Sequence, residues 1–339
     1  MQDLNVEAAK NPPGAAGGSL REKRPRLAGL IVGAVALAGV IAFALHVGDT
    51  SEFVQTIIKT DPNWLALALT AQAFAFLTQA LVWALVLARR KSPVRRGDLL
   101  ALSIGKLFAD QAVPSAGVSG AAFFIHALTR RGVSPADAFV TFVFGASSFI
   151  LTFIAFAAGA LAFIAVSGGP VDEFAVNISD IHYIAIASVL LLFVIAALML
   201  ASQGKGPLRS GALAKASESV RKAASLIYVE RGLFAACLGL QSIARLLDCV
   251  TLWVAFQALG GGIPFITSVV AVSLAALAAT IAPTPMGLGS FEAGLIAALA
   301  SQGYGVEASF AGLLIYRGLS LGLPLALGFF VVQRELLRR

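Results

Sequence analysis

Six ionisable residues fall inside long apolar stretches: Lys106, Asp110, Arg245, Asp248, Glu292 and Arg317. Three are bases and three are acids. Holding one such charge at the centre of a bilayer costs roughly 2.5–3.5 kcal/mol on insertion scales, so each is expected to face a partner or a water-filled path. Lys106 and Asp110 are four residues apart, and Arg245 and Asp248 are three apart. Both spacings put the two side chains on one helical face. Glu292 and Arg317 lie in different segments and are expected to meet in the fold. Three chemistries fit these residues. The pairs neutralise themselves and fix helix packing; or they line a polar path for a charged ligand group, with Lys106 and Arg317 facing an anion; or Asp110, Asp248 and Glu292 do acid–base work on a lipid-linked substrate.

Two helix breaks lie beside these charges. Pro114-Ser-Ala-Gly117 interrupts the apolar stretch 99–128, and Pro283-Thr-Pro-Met-Gly-Leu-Gly-Ser290 separates 264–282 from 290–302. Ser115 and Ser290 stand where new helices should start, and serine is a favoured N-cap. A helix start offers free N–H groups and partial positive charge, which suit a phosphate or carboxylate. Pro283, Pro285, Gly287 and Gly289 prevent helix continuation and let a ligand approach the backbone. A plain interhelical turn is the other reading. No competing chemistry is visible. His46, His126 and His182 are dispersed without metal-ligand spacing, and no Walker A or Cys-x-x-Cys sequence occurs. Cys237 and Cys249 are about 18 Å apart along one helix, too far to bridge. No cofactor or metal is expected.

The elements that must position these residues are membrane helices. Of 339 residues, 58% are hydrophobic and 13% charged, with mean hydropathy +0.86. That little charge cannot cover a water-soluble surface. The net charge of +7 fits loops beside anionic lipid rather than nucleic acid. Apolar runs long enough to cross are read at 27–47, 64–88, 138–166, 182–202, 232–259 and 307–332. Residues 1–26 read as a disordered cytoplasmic tail. The first span has features of a signal peptide (Arg21-Glu-Lys-Arg-Pro-Arg, Ala42-Phe-Ala44), but its length and the embedded remainder argue that it is retained. Trp64 and Trp83 are placed as interface anchors, and Trp253 as packing.

Basic residues favour the cytoplasmic side. Arg89, Arg90, Lys91, Arg95 and Arg96 precede the first broken segment, and Arg130 and Arg131 follow it. Both of its ends therefore belong inside, which makes 99–128 a hairpin that enters and leaves by the same face. Of the Lys and Arg residues, 21 fall inside, one outside and three within apolar segments. With both termini cytoplasmic, 264–302 becomes a hairpin entering from outside. Blocks 64–166 and 232–332 each run span, hairpin, span, with opposite topology, and inverted repeats with discontinuous helices recur in transporters. The expected fold is thus all-α: a polytopic membrane protein with six full spans plus two oppositely oriented re-entrant helical hairpins in one domain over 27–335. Full crossing by each broken element as two spans keeps the same parity and stays open.

Three stretches carry a resemblance. They are Gly105-Lys-Leu-Phe-Ala-Asp-Gln-Ala-Val-Pro114-Ser-Ala-Gly117 with Arg130-Arg-Gly-Val-Ser-Pro-Ala-Asp137, Pro283-Thr-Pro-Met-Gly-Leu-Gly289-Ser-Phe-Glu292, and Leu314-Ile-Tyr-Arg317. Over roughly 25–335 the chain resembles the transmembrane domain of lysylphosphatidylglycerol synthases, a flippase-like family. Met286 stands at the first of the family's paired glycines, and no arginine follows Gly117 where the family commonly has one. The resemblance implies a protein of the bacterial inner membrane that moves a lipid with a polar or anionic headgroup between leaflets, with phospholipid, hopanoid or polyprenyl lipid as candidates. With the chain ending at Arg339, an aminoacyl-transferase domain and synthase activity are not expected. Membrane lipid is the expected partner, with a second copy of the chain or a lipid-biosynthesis enzyme as further partners. The rival expectations are a membrane enzyme and an accessory subunit.

Overall fold

The computed structural model describes residues 61–167 and 225–337, apart from Pro93, 113–116, Leu226 and 283–286. The tail 1–26, the expected spans 27–47 and 182–202, and Pro114, Ser115, Pro283 and Pro285 lie outside the described residues. Within them every regular element is helical: α1 (Pro62–Arg89), α2 (Arg96–Ala112), α3 (Val118–Thr129), α4 (Pro135–Ser167), α5 (Arg231–Ala258), α6 (Phe265–Ile281), α7 (Ser290–Ala300), α8 (Val306–Arg317) and α9 (Leu323–Leu337). A π-helical turn, Gly318–Gly322, joins α8 to α9, so Val306–Glu335 is one long apolar helix with a bulge in its middle.

Among the described residues, four helices are long and apolar enough to cross a membrane: Pro62–Arg89, Pro135–Val166, Arg231–Ala258 and Val306–Glu335. At 1.5 Å per residue a 28-residue helix such as α1 reaches about 42 Å, beyond the roughly 30 Å of hydrocarbon. The helix starts follow local rules. Asp61 caps α1 by accepting from the Asn63 N–H at 2.9 Å, with Pro62 at the first position, where its missing N–H is harmless. Ser134 caps α4: its Oγ accepts from the Asp137 N–H at 3.1 Å and donates to the Asp137 carboxylate at 2.7 Å.

Ion pairs fix which helix ends lie together. Arg89 of α1 meets Glu230 before α5 at 2.9 Å, and Arg90 meets Asp137 of α4 at 2.6 Å. Arg131, just after α3, lies 3.8 Å from Asp98 at the start of α2 and 2.6 Å from Glu335 near the end of α9. Its hydrogen bonds to Glu335 (2.9 and 2.6 Å) push its already high range further up, against an opposing effect of burial. The α2–α3 pair is therefore an antiparallel hairpin whose two open ends sit at this basic end. The opposite end is aromatic: Trp64 and Trp253 cross edge-to-face at 6.4 Å, Trp253 does the same with Phe265, and the Trp253 indole N–H donates to the Ile263 carbonyl at 3.0 Å. There α6 begins. Gly294 of α7 packs directly on Ala278 and Ala275 of α6, so α6–α7 is a second antiparallel hairpin, and it opens at the aromatic end.

The two hairpins meet inside. Phe108 of α2 forms one buried cluster with Leu321 of the π turn and Leu325 of α9, and Ala112 and Leu288 pack against it from the two hairpin tips. Close approach depends on small residues. The Gly145 backbone of α4 lies against the Trp83 ring of α1, and Gly328 of α9 against Phe108 and the Ile104 carbonyl. Trp83 is 2% exposed and sits 4.5 Å from Phe124. It is a core residue, not the interface anchor that the sequence suggests, because the cleft left by Gly145 accepts its ring.

Candidate functional site

The tip of the first hairpin carries Lys106 and Asp110. One turn apart on α2, they pair at 2.6 Å, as their spacing requires. The second oxygen of Asp110 accepts the Gly120 N–H at 2.9 Å, so a carboxylate of α2 caps the start of α3. Gly117, with φ 85°, is the N-cap residue and supplies no side-chain cap of its own. A Cβ on Gly120 would overlap the Asp110 carboxylate, so glycine is what lets that carboxylate reach the backbone. Ser119 tightens the turn by donating to the Ala109 carbonyl at 2.8 Å. The Lys106 ammonium stands 6.0 Å from the Phe142 ring centroid.

The second hairpin repeats this design with different residues. Gly289, with φ 84°, is the N-cap of α7, and Glu292 reaches back to accept the Gly289 N–H at 2.6 Å. The other Glu292 oxygen accepts from Arg317 Nε at 2.6 Å, and Arg317 Nη2 donates to the Gly287 carbonyl at 3.2 Å. The guanidinium lies 4.4 Å over the Phe291 ring, which stacks on Tyr316 at 5.9 Å. Arg317 thus ties the C-terminal end of α8 to the tip of α6–α7. The expected meeting of Glu292 and Arg317 occurs.

One expectation needs correction. Ser290 is not the N-cap of α7 but its first residue; its Oγ lies 3.4 Å from the Gly287 carbonyl. At each tip one backbone N–H is already bonded by a carboxylate, Gly120 by Asp110 and Gly289 by Glu292, since an uncapped helix start inside apolar surroundings is costly.

Arg245 and Asp248 form a third, looser centre on α5. Their closest approach is 3.9 Å. Asp248 also accepts from the Gln72 amide of α1 at 3.4 Å, and the Gln72 carbonyl oxygen accepts from Thr251 at 3.3 Å. Arg245 stands 5.8 Å from the Phe149 ring centroid. Phe142 and Phe149 are two turns apart on α4, so Lys106 and Arg245 line one face of that helix. Tyr316 lies within electrostatic reach of Asp248, Arg245 and Arg317, which links the second and third centres. Sequence reasoning did not single out Gln72, Gly120, Thr251 or Tyr316. Gln72 alone carried a signal, as an amide inside an apolar span. Among the described residues no three His, Cys, Asp or Glu side chains converge on a metal position.

An all-helical bundle with several apolar crossings, two opposed hairpins and charges at their tips defines a multi-pass membrane protein. Residues 27–328 match the family model described as the lysylphosphatidylglycerol synthase TM region, and the chain belongs to that family. Comparison with curated proteins gives no match.

Proposed function

We propose that this protein moves a lipid with a polar or anionic headgroup between the leaflets of a bacterial-type inner membrane, with both termini cytoplasmic and without covalent chemistry. Phospholipid, hopanoid and polyprenyl-linked lipid are the candidate classes. The observation that carries the reading is the pair of hairpins. They open at opposite ends of the molecule, their tips share one cluster, and each tip holds a base beside a carboxylate that caps a helix. The hairpin helices α3 and α7, with 12 and 11 residues, reach only about 16–18 Å. They are too short to cross alone and fit re-entrant segments covered by protein.

In this reading the headgroup passes along the polar centres while the acyl chains stay in the bilayer. Its anion shares Lys106 or Arg317 with the resident carboxylate, since neither base is a lone charge. Rocking of one block against the other gives alternating access. The test is reconstitution into vesicles with headgroup-labelled phosphatidylglycerol, a hopanoid lipid or polyprenyl phosphate in separate preparations. Movement above protein-free vesicles for at least one class, reduced by Arg317→Ala, supports the reading. No movement for any class defeats it.

A further inference from the structure

Three carboxylates lie in the membrane core, and two of them are locked. Asp110 and Glu292 each have a base at 2.6 Å and a backbone N–H at 2.9 or 2.6 Å. Asp248 has neither. Its guanidinium neighbour is at 3.9 Å and its amide donor at 3.4 Å, both beyond a strong charge-assisted hydrogen bond. It is also the most open of the three: 27% of its side-chain surface is accessible, against 20% for Asp110 and 8% for Glu292. It stands ten residues, about 15 Å, from the aromatic end of α5 and seventeen, about 26 Å, from the basic end.

A carboxylate with weak partners in a low-dielectric setting gives up its charge readily by taking a proton, whereas a locked one is held charged. The surroundings favour exchange. On α5 itself Asp248 faces Arg245 and Cys249; α1 presents the neutral Gln72; α8 presents Tyr316 with Arg317 beyond it. Arg245 keeps a second partner in the Phe149 ring, so it is not stranded when Asp248 is neutral.

We propose that Asp248 is a proton-exchange site. The carboxylate takes a proton from water on one side of the membrane, forming an O–H bond, and returns it to water on the other. While the proton is bound, Arg245 loses its counter-charge and becomes the cation for an anionic headgroup, so one proton and one negative charge travel together. The coupling to lipid rests on the transport reading above; the proton site does not.

Two measurements keep these apart. The first is infrared difference spectroscopy of the full-length protein in nanodiscs between about pH 8 and about pH 5, a range reached by buried carboxyls. The expected result is a protonated-carboxyl C=O band that grows on acidification, is lost in Asp248→Asn, moves in Asp248→Glu and survives in Asp110→Asn and Glu292→Gln. A band that persists in Asp248→Asn, or a wild-type protein with no such band, overturns the proposal. If the Asn variant does not fold, an unmoved band in the Glu variant overturns it equally. The second is movement of labelled phosphatidylglycerol in phosphatidylcholine vesicles with and without a pH gradient. A gradient response that is lost in Asp248→Asn supports the coupling. Wild-type movement indifferent to the gradient overturns the coupling and leaves transport standing. A titrating Asp248 band without any lipid movement defeats transport and leaves the proton site.

Discussion

Gly120 carries no side chain, and the Asp110 carboxylate occupies the space where one would be. The substitution Gly120→Ala therefore does more than crowd a turn. It drives the carboxylate off the α3 backbone and leaves the residue 120 N–H without its acceptor. Loss of such a buried hydrogen bond costs about 1–3 kcal/mol, so the variant is expected to unfold several degrees lower in a thermal melt in detergent. Gly97→Ala is the control, because a Cβ there meets nothing within 4 Å; its midpoint should stay level or rise. Arg317 gives a second residue-scale prediction. Its planar head bonds Glu292 and the Gly287 carbonyl at once while lying on Phe291, and lysine cannot do all three. Losing one charge-assisted hydrogen bond of about 1.5–3 kcal/mol corresponds to about a tenfold or greater drop in rate. Lipid movement by Arg317→Lys in vesicles should fall by that much, and a wild-type rate would show that charge alone is what Arg317 supplies.

At the scale of elements, the π turn is the part most open to a decisive test. A π turn amounts to one surplus residue in an α-helix. Inserting one alanine after Ser320 adds a residue that the turn does not absorb and should rotate α9 by about 100° relative to α8. Leu325 would leave Phe108, and Glu335 would leave Arg131. Helix content by circular dichroism should hold, while the thermal midpoint and lipid movement both fall; an unchanged midpoint would show that the turn does not set the seating of α9. Hydropathy located the cores of α1, α4, α5 and the α8–α9 helix, because a crossing helix needs an apolar run that no soluble element needs. The pairs Lys106–Asp110 and Arg245–Asp248 were legible because a helix fixes their spacing. What joins Asp110 to Gly120, or Gln72 to Asp248 across 176 residues, is tertiary placement, and no local pattern encodes it. The cap at Ser290 was misassigned for a related reason. Serine is the usual local cap, but here distant or following carboxylates do that work.

For the whole molecule, orientation is the claim to test. Cys237 and Cys249 are free and buried, so the natural thiols should stay silent to a membrane-impermeant maleimide. In right-side-out cells, Gly261→Cys and Gly305→Cys at the aromatic end should label, and Arg95→Cys and Arg334→Cys at the basic end should label only after the membrane is opened. The reverse pattern would invert the proposed topology. The cluster of Phe108, Leu321 and Leu325 with Leu288 has one more consequence. Each hairpin is anchored at its own face, yet both lean on the same few apolar side chains at the centre. Neither can retract without removing the other's abutment, so a pull applied at one face is felt at the opposite face as slack, in the manner of two levers sharing a fulcrum.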